Sequence, residues 1–244
     1  MFRPVATLFV WAVVLLATAC CPAKAKTFLV SVGISDYPGG QHDLRLPAND
    51  AKTIVWLYSK NKDVKYHYLL DNAATKNAII SAMQTLFAEA GKDDIVVFFF
   101  SGHGYKGGFC AYDSRLSYAE IRKAMAASRS KNKMIFADAC FSGKLRKGKT
   151  SPSAMSEAGR ANVMLFLSSR DNETSIERPS MQNGFFTTYL QKGLRGNADA
   201  NRDRIITAKE LFDFVSKGVK ELSGGKQHPV MWGKFNHNMP VMKW

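Results

Sequence analysis

The sequence predicts an α/β fold in three layers, with a mostly parallel β-sheet between helices on both of its faces. Short apolar segments alternate with amphipathic ones along most of the chain, which is typical of parallel strands joined by helical crossovers. Two of the apolar segments, Asp94–Phe100 and Lys133–Ala137, are nearly continuous, as expected for strands buried on both faces. Of the 244 residues, 46% are hydrophobic and 22% are charged, which suits a globular domain and excludes disorder, collagen and coiled coil.

In the N-terminal half, the apolar pattern predicts strands and helices in alternation. Within the second predicted helix, Ile79, Met83 and Phe87 recur at the spacing of one helical face, which would pack on the sheet. The predicted elements are, in order, strand Thr27–Gly33, helix Asn49–Ser59, strand Lys65–Leu70 and helix Thr75–Ala90.

The C-terminal half continues the alternation. Ser117 and Glu120 have the spacing of a capping box, so we expect a helix to begin there and to connect the two buried strands. The tail from Gln227 to Trp244 is predicted to be irregular or to carry a short edge strand. The remaining predicted elements are strand Asn162–Ser168 and helices Gly184–Leu194 and Thr207–Lys220.

The first 25 residues have the layout of a secretory signal peptide. Arg3 precedes the apolar run Leu8–Ala17, which is too short to span a bilayer, and small residues lead to a cleavage site after Ala25. The sequence therefore predicts a secreted or periplasmic protein with one domain at residues 26–244. Cys20 lies in a faint lipobox pattern, so the alternative is a lipid-anchored envelope protein, and a membrane partner is expected only in that case.

The charge and the remaining motifs limit the function classes. The formal net charge of +14 suits a nucleic acid, an anionic surface or an acidic partner equally well. Nucleic acid is not expected, because the chain has an export signal and no interleaved basic and aromatic motif. The absence of a Gly-rich phosphate loop, a Gly-x-Ser-x-Gly elbow and a zinc signature argues against nucleotide-binding, serine-hydrolase and zinc-dependent classes.

Polar residues follow both of the buried strands, at the point where each strand ends. Ser101-Gly102-His103-Gly104 follows the first strand, and Asp138-Ala139-Cys140 follows the second. The carboxyl ends of parallel strands share one edge of the sheet, where ligands bind, so we expect His103 and Cys140 to form a dyad. A Cys140 thiolate would be the nucleophile and His103 the general acid/base, with backbone N–H groups of Gly104 and Cys140 available to an oxyanion. The second cysteine of the mature chain, Cys110, is expected to be buried and inert.

The two motifs resemble the His and Cys motifs of the caspase-like cysteine peptidases, in particular the metacaspase-like bacterial branch. Three further segments resemble the same family in the same order, so the resemblance covers most of residues 27–215: Val32-Gly33-Ile34, Leu46–Ala51 and Ser168–Ser175. The resemblance implies a caspase-hemoglobinase fold and hydrolysis of peptide bonds in protein or peptide substrates by Cys140 and His103, with no cofactor required for the chemistry. The alternative is a non-catalytic binding module of the same fold at the cell envelope, which would have no reason to retain both residues.

An acidic pocket is expected beside the nucleophile. Asp138 lies two residues before Cys140 in an extended segment, so both side chains lean toward the same face and the acid would pair with a basic substrate side chain. The resemblance to metacaspases adds Asp50 and Ser101 to this pocket and implies cleavage after Arg or Lys. Arg45, near Asp50, is a cation that weakens this argument, and Asp50 alone would also suit the N-terminal turn of a helix.

The segment 144–160 is basic and rich in Ser, Gly and Pro. This composition predicts an exposed loop. The family resemblance adds the hypothesis of self-cleavage at its Lys and Arg residues, and a solvated surface loop is the alternative.

The twelve residues from Asp199 to Glu210 match most positions of an EF-hand loop. Arg204 stands where the loop's sharp turn prefers Gly, so the prediction is weak Ca²⁺ binding in a structural or modulating role. The alternative for Thr207 and Glu210 is a helix-capping box without metal. The predicted oxygen ligands are Asp199, Asn201, Asp203, the carbonyl of Ile205, Thr207 and Glu210.

Overall fold

Strands and helices alternate through the residues that the computed structural model describes, 25–105, 107–140, 163–169 and 180–243, with Cys140 described by its backbone alone. The predicted signal peptide, Cys20 and the segment 144–160 lie outside these residues. The strands are β1 (Thr27–Gly33), β2 (Val64–Leu70), β3 (Ile95–Tyr105), β4 (Gly108–Cys110), β5 (Arg115–Ser117), β6 (Asn132–Cys140), β7 (Val163–Leu167), β8 (Ile205–Thr207), β9 (Val230–Trp232) and β10 (Pro240–Lys243). The helices are α1 (Pro47–Ser59), α2 (Lys76–Ala88), α3 (Tyr118–Met125), α4 (Phe185–Lys192) and α5 (Ala208–Leu222).

The main sheet has the strand order β2-β1-β3-β6-β7-β9. In this order, the neighbouring strands β2, β1, β3, β6 and β7 pair in parallel, and β9 pairs antiparallel with β7 at one edge. Alternate side chains of each strand point to opposite faces, so each buried strand contributes to two cores. Phe98 and Phe100 of β3 pack in the same core as α2 and α3, whereas Val97 and Phe99 pack with α1, α4 and α5. The predicted three-layer α/β fold is confirmed.

Several short elements were not predicted. β3 continues through Tyr105 and pairs antiparallel with β4, which in turn pairs with β5. The tail carries β9 at the sheet edge, which is the short edge strand given as one of its two predicted forms, and also β10, which pairs with β8 in a separate two-stranded sheet. The unpredicted strands β4, β5, β8 and β10 have three or four residues each. Such segments are too short to show a periodic apolar pattern, which explains why sequence periodicity misses them. Within the described ranges, no helix is long and apolar enough to cross a bilayer.

Gly33 ends β1 where the strand passes the first turn of α1. A Cβ at this position would lie 2.2 Å from the Pro47 carbonyl oxygen and 2.8 Å from the Ala51 Cβ. Since that oxygen belongs to the helix backbone, the clash is relieved only by moving α1. We expect Gly33→Ala to lower the free energy of unfolding by about 1–3 kcal/mol, measured by urea denaturation. Lys52→Ala on the exposed side of α1 is the control and should change it by less than about 0.5 kcal/mol. Equal stability of the two variants would contradict the packing argument.

Candidate active site

The pairing of β3 with β6 brings His103 and Cys140 together. The two residues are register partners at the carboxyl ends of neighbouring parallel strands, the last pair in that ladder. Backbones of paired strands lie about 5 Å apart, so the edge of the sheet holds an imidazole and a thiol-bearing residue side by side. Gly104 follows in β3 and pairs with Phe109 of β4. The main chain before Cys140 is held by the buried Ser168, whose hydroxyl accepts from the Ala139 N–H at 3.2 Å and donates to the Ala139 carbonyl at 3.1 Å.

Two groups that sequence reasoning missed hold His103. The Nε2 atom of His103 lies 2.7 Å from the backbone carbonyl of His42, and the Tyr37 ring lies 4.8 Å from the imidazole, centroid to centroid. A carbonyl oxygen only accepts hydrogen bonds, so Nε2–H donates in this contact and Nδ1 carries the lone pair of the neutral ring. The Tyr37 hydroxyl accepts from the His103 backbone N–H at 2.9 Å and donates to the Cys110 carbonyl at 3.2 Å. The imidazole is therefore fixed in both orientation and tautomer.

The segment that carries Tyr37 and His42 is itself fixed by carboxylates. Asp71 accepts from the backbone N–H groups of Ser35 and Asp36 at 2.8 and 3.1 Å, and Asp43 accepts from that of Tyr37 at 2.9 Å. Burial raises the pKa of the Tyr37 hydroxyl above its usual range, so the group remains protonated at neutral pH.

Gly102 and Cys110 also lie beside Tyr37. Gly102 has a φ of 152°, and a Cβ there would lie 2.7 Å from the Tyr37 hydroxyl, so glycine is required for this close approach. Cys110 is half-buried rather than buried, and burial raises the pKa of its thiol, which stays protonated at neutral pH.

The three predicted pocket residues lie together and are buried, with relative exposures of 2% for Asp50, 2% for Ser101 and 6% for Asp138. They come from α1, β3 and β6, and Ser101 and Asp138 are register partners. The Ser101 hydroxyl donates to Asp50 Oδ2 at 2.8 Å. Asp138 Oδ2 accepts from the backbone N–H and the hydroxyl of Thr187 at 3.1 and 2.9 Å.

Asp50 is surrounded by neutral donors. Its Oδ1 accepts from the Asn183 side-chain amide at 2.8 Å and from the Gly184 backbone N–H at 3.1 Å. Burial, and secondly the neighbouring Asp138 carboxylate, raise the pKa of Asp50 well above its usual range, against hydrogen bonds from Asn183, Ser101 and Gly184 that lower it. In the part of the chain that the structure describes, no cationic side chain forms an ion pair with Asp50.

The segment just before α4, residues 181–184, completes this cluster, although no sequence pattern assigned it to the site. A Cβ at Gly184 would lie 2.3 Å from Asp138 Oδ2, so only glycine lets this main chain pass so close to the carboxylate. Asn49 donates to the Gln182 carbonyl at 2.7 Å, and Arg45 donates to the Met181 carbonyl at 2.8 Å. The Asn-Gly pair before a predicted helix is a turn signal that marks this segment in the sequence.

The predicted calcium loop lies apart from these residues, since α4 begins beside Asp50 and Asp138 and ends before the loop starts. Arg204 has a φ of 66°, the left-handed backbone that the sharp turn demands. Asp199 accepts from the N–H groups of Asp203 and Arg204, and Glu210 forms a capping box with Thr207. Among the residues with assigned positions, no three His, Cys, Asp or Glu side chains group closely enough to hold a metal. A carboxylate oxygen can accept a backbone N–H and still coordinate a cation, so these hydrogen bonds do not decide the matter, and Ca²⁺ stays a prediction.

Comparison with known proteins agrees with the fold. The family model described as "Caspase domain" matches residues 27–239. The fold is similar to that of a protein from Geobacter sulfurreducens, with a TM-score of 0.63, 18% identity, and coverage of 86% of this chain and 94% of the other. It is also similar to caspase-1 from Spodoptera frugiperda, with a TM-score of 0.62, 18% identity, and coverage of 88% of each chain. No curated protein matches the chain.

Proposed function

Because the chain belongs to the caspase domain family of cysteine peptidases, we propose that it is an exported cysteine endopeptidase of the metacaspase-like branch that hydrolyses peptide bonds after Arg or Lys. Cys140 would be the nucleophile and His103 the general acid/base. The observation that carries this proposal is the pairing of His103 with Cys140 beside two buried acidic side chains, Asp50 and Asp138. Export rests on the pattern of residues 1–25, and amino-terminal sequencing of protein recovered from the producing cells tests it: Lys26 should come first.

The residues suit acyl transfer through a thioester. The Cys140 thiol passes its proton to Nδ1 of His103, and the thiolate attacks the carbonyl carbon of the scissile bond. Backbone N–H groups of Gly104 and Cys140 would hold the resulting oxyanion. The imidazolium then gives its proton to the leaving amine as the C–N bond breaks. In the second half, His103 takes a proton from water, the hydroxide attacks the thioester, and the carboxylic acid leaves as the thiolate is restored. The His42 carbonyl stabilises the imidazolium by accepting from Nε2–H throughout.

The Arg or Lys preference follows from electrostatics. Neutral hydrogen-bond donors surround the buried Asp50 carboxyl, and burial and then the Asp138 carboxylate raise its pKa, so a substrate guanidinium or ammonium would stabilise its ionised form. An acidic substrate side chain would add a further negative charge. The Arg45 guanidinium donates to the Met181 carbonyl, and among the described residues it forms no ion pair with Asp50.

Hydrolysis of fluorogenic peptides that differ only before the scissile bond tests the proposal. Arg and Lys peptides should be cleaved, whereas peptides with citrulline, the neutral isostere of Arg, or with Asp should not. Cleavage after Asp would support peptidase activity but contradict the proposed specificity for Arg and Lys. No cleavage of any peptide by folded protein, with Ca²⁺ or with chelator, would favour the binding module. Faster cleavage with Ca²⁺ that is lost in Asp199→Ala would support the predicted metal loop.

The raised pKa of Asp50 predicts a pH-dependent affinity for cations. Agmatine, which carries the arginine guanidinium, should bind more tightly as the pH rises through the Asp50 pKa, above the usual aspartate range, because binding favours the ionised carboxyl and releases a proton. Calorimetry in two buffers with different ionisation enthalpies measures the proton released. Asp50→Asn should abolish the release. Proton release that persists in Asp50→Asn would assign it to another group.

Tyr37 is expected to act as a positioning residue for His103. Tyr37→Phe keeps the ring beside the imidazole but removes the hydroxyl that accepts from the His103 N–H. Losing one such hydrogen bond should lower kcat by about 2- to 10-fold with little change in KM. Tyr66→Phe is the control, because this exposed tyrosine lies on β2, away from His103, and losing its hydroxyl should leave kcat within about twofold. Unchanged kcat in Tyr37→Phe, or a loss matched by Tyr66→Phe, would contradict the assignment.

A further inference from the structure

A cavity of about 690 Å³ opens at the end of α1 away from Asp50. It lies between the last turns of α1, the turn that leads into β2, the turn after α4 and strand β10. Leu57, Leu194 and Met242 form a buried apolar floor, and the indole of Trp56 is 46% exposed at its side. The cavity is distinct from the candidate active site, which occupies the carboxyl ends of the strands and the first turn of α1.

The rim of this cavity is basic. Lys60, Lys62, Arg195 and Lys243 line it, and Asp63 is the single acidic residue among the described lining residues. Lys60 Nζ lies 4.7 Å and Arg195 Cζ 5.8 Å from the centroid of the Trp56 ring, so the exposed indole is flanked by two cations. A ligand that covers the indole must therefore meet a positive potential.

The combination of floor and rim decides the kind of partner. An apolar concavity of this volume accommodates a bulky side chain, and an exposed Trp beside Arg is typical of residues that dominate peptide and protein binding. The phosphates of a nucleic acid would suit the rim but supply nothing apolar for the floor. Under the proposed export, a nucleic acid would also be an unsuitable partner. An acidic peptide with an apolar side chain satisfies both parts.

We propose that this cavity is a docking site for an acidic peptide segment whose apolar side chain packs against Trp56 and the floor, while its carboxylates face Lys60, Lys62 and Arg195. The docking does not depend on catalysis. If the chain cleaves proteins, the segment would hold a substrate at a distance from the bond being cut.

Binding of a fluorescent peptide to protein purified after expression of the full chain tests the docking site. The peptide carries Leu-Phe flanked by Asp and Glu and contains no Arg or Lys, so peptidase activity does not affect the result. Trp56→Ala should weaken binding by about tenfold, as for an interface tryptophan. Arg195→Glu should also weaken it, and higher salt should do the same. The control Lys123→Glu reverses one charge on α3, across the sheet, and should stay within about twofold.

Three outcomes would overturn the docking site. A peptide with Ser-Ser in place of Leu-Phe could bind equally well, which would leave the apolar floor without a role. Lys123→Glu could weaken binding as much as Arg195→Glu, which would reduce the effect to net charge. Anionic phospholipid vesicles, rather than the peptide, could bind in a Trp56-dependent manner, which would assign the cavity to a membrane surface. Trp56 and Arg195 are exposed, so unchanged thermal unfolding should accompany both variants.

Discussion

Cys140→Ala is expected to abolish hydrolysis of Arg and Lys peptides, with a fall in kcat on the order of 10⁴-fold or more. Alanine cannot form the thioester, and the residual rate would come from binding and the oxyanion donors alone. His103→Ala should cause a loss of similar size, because the two groups act as a unit and their effects do not add. Initial rates with saturating Arg peptide measure both losses.

Cys110→Ala is the matched control for the nucleophile. The Cys110 thiol is half-buried and its pKa is raised, so it should be a poor nucleophile, and its removal should leave kcat within about twofold. The Tyr37 hydroxyl contacts the Cys110 carbonyl, which the substitution keeps. Activity that survives in Cys140→Ala and disappears in Cys110→Ala would exchange the roles of the two cysteines.

The second large effect is expected from the buried carboxylates. Asp50→Asn or Asp138→Asn should lower kcat/KM for Arg peptides by about 30-fold or more, since removing one partner of a buried charge pair costs about 2–5 kcal/mol. The same variants should change the slow cleavage of a citrulline peptide far less. Ser101→Ala removes one hydrogen bond to Asp50 and should lower kcat/KM by about 2- to 10-fold.

Thermal unfolding of Asp50→Asn distinguishes a loss of substrate specificity from a loss of folded structure. Burial raises the Asp50 pKa, so the folded state holds this proton more tightly than the unfolded state. The contribution of Asp50 to stability is therefore largest at low pH, and it decreases as the pH rises from the usual aspartate range through the raised pKa. Asp50→Asn should thus unfold at an equal or higher temperature than the wild type at neutral pH. A lower unfolding temperature, with equal losses for Arg and citrulline peptides, would make Asp50 structural.

The sequence predicted the sheet and the pairing of His103 with Cys140 for a physical reason. Two short, nearly continuous apolar runs favoured doubly buried strands, and the polar residues at the carboxyl ends of parallel strands share one edge of the sheet. The parallel register of β3 with β6 is sufficient to bring His103 beside Cys140. The groups that hold His103, Tyr37 and the His42 carbonyl, were not predictable in the same way. The His42 contact uses a backbone carbonyl, which every residue carries, so no side-chain pattern marks it.

The lining of the acidic pocket was predictable only in part. The spacing to Cys140 indicated Asp138, and the family resemblance added Asp50 and Ser101. No pattern marked Asn183, in the turn before α4, or Thr187, on α4 itself, as contacts of these carboxylates. Their contacts join residues 133 and 49 positions apart. Such contacts depend on how α4 docks against α1 and the sheet, and this docking is a property of the whole packed core.

The wide spacing of the pocket residues along the chain has a consequence for synthesis. Asp50 has its Ser101 partner early, but Asn183, Gly184 and Thr187 emerge from the ribosome much later. A nascent chain therefore lacks a complete cluster around Asp50 even when β3 and β6 have formed. Under the proposed function, arginine-directed cleavage would begin only after most of the polypeptide has been made, and the producing cell would be spared an active fragment.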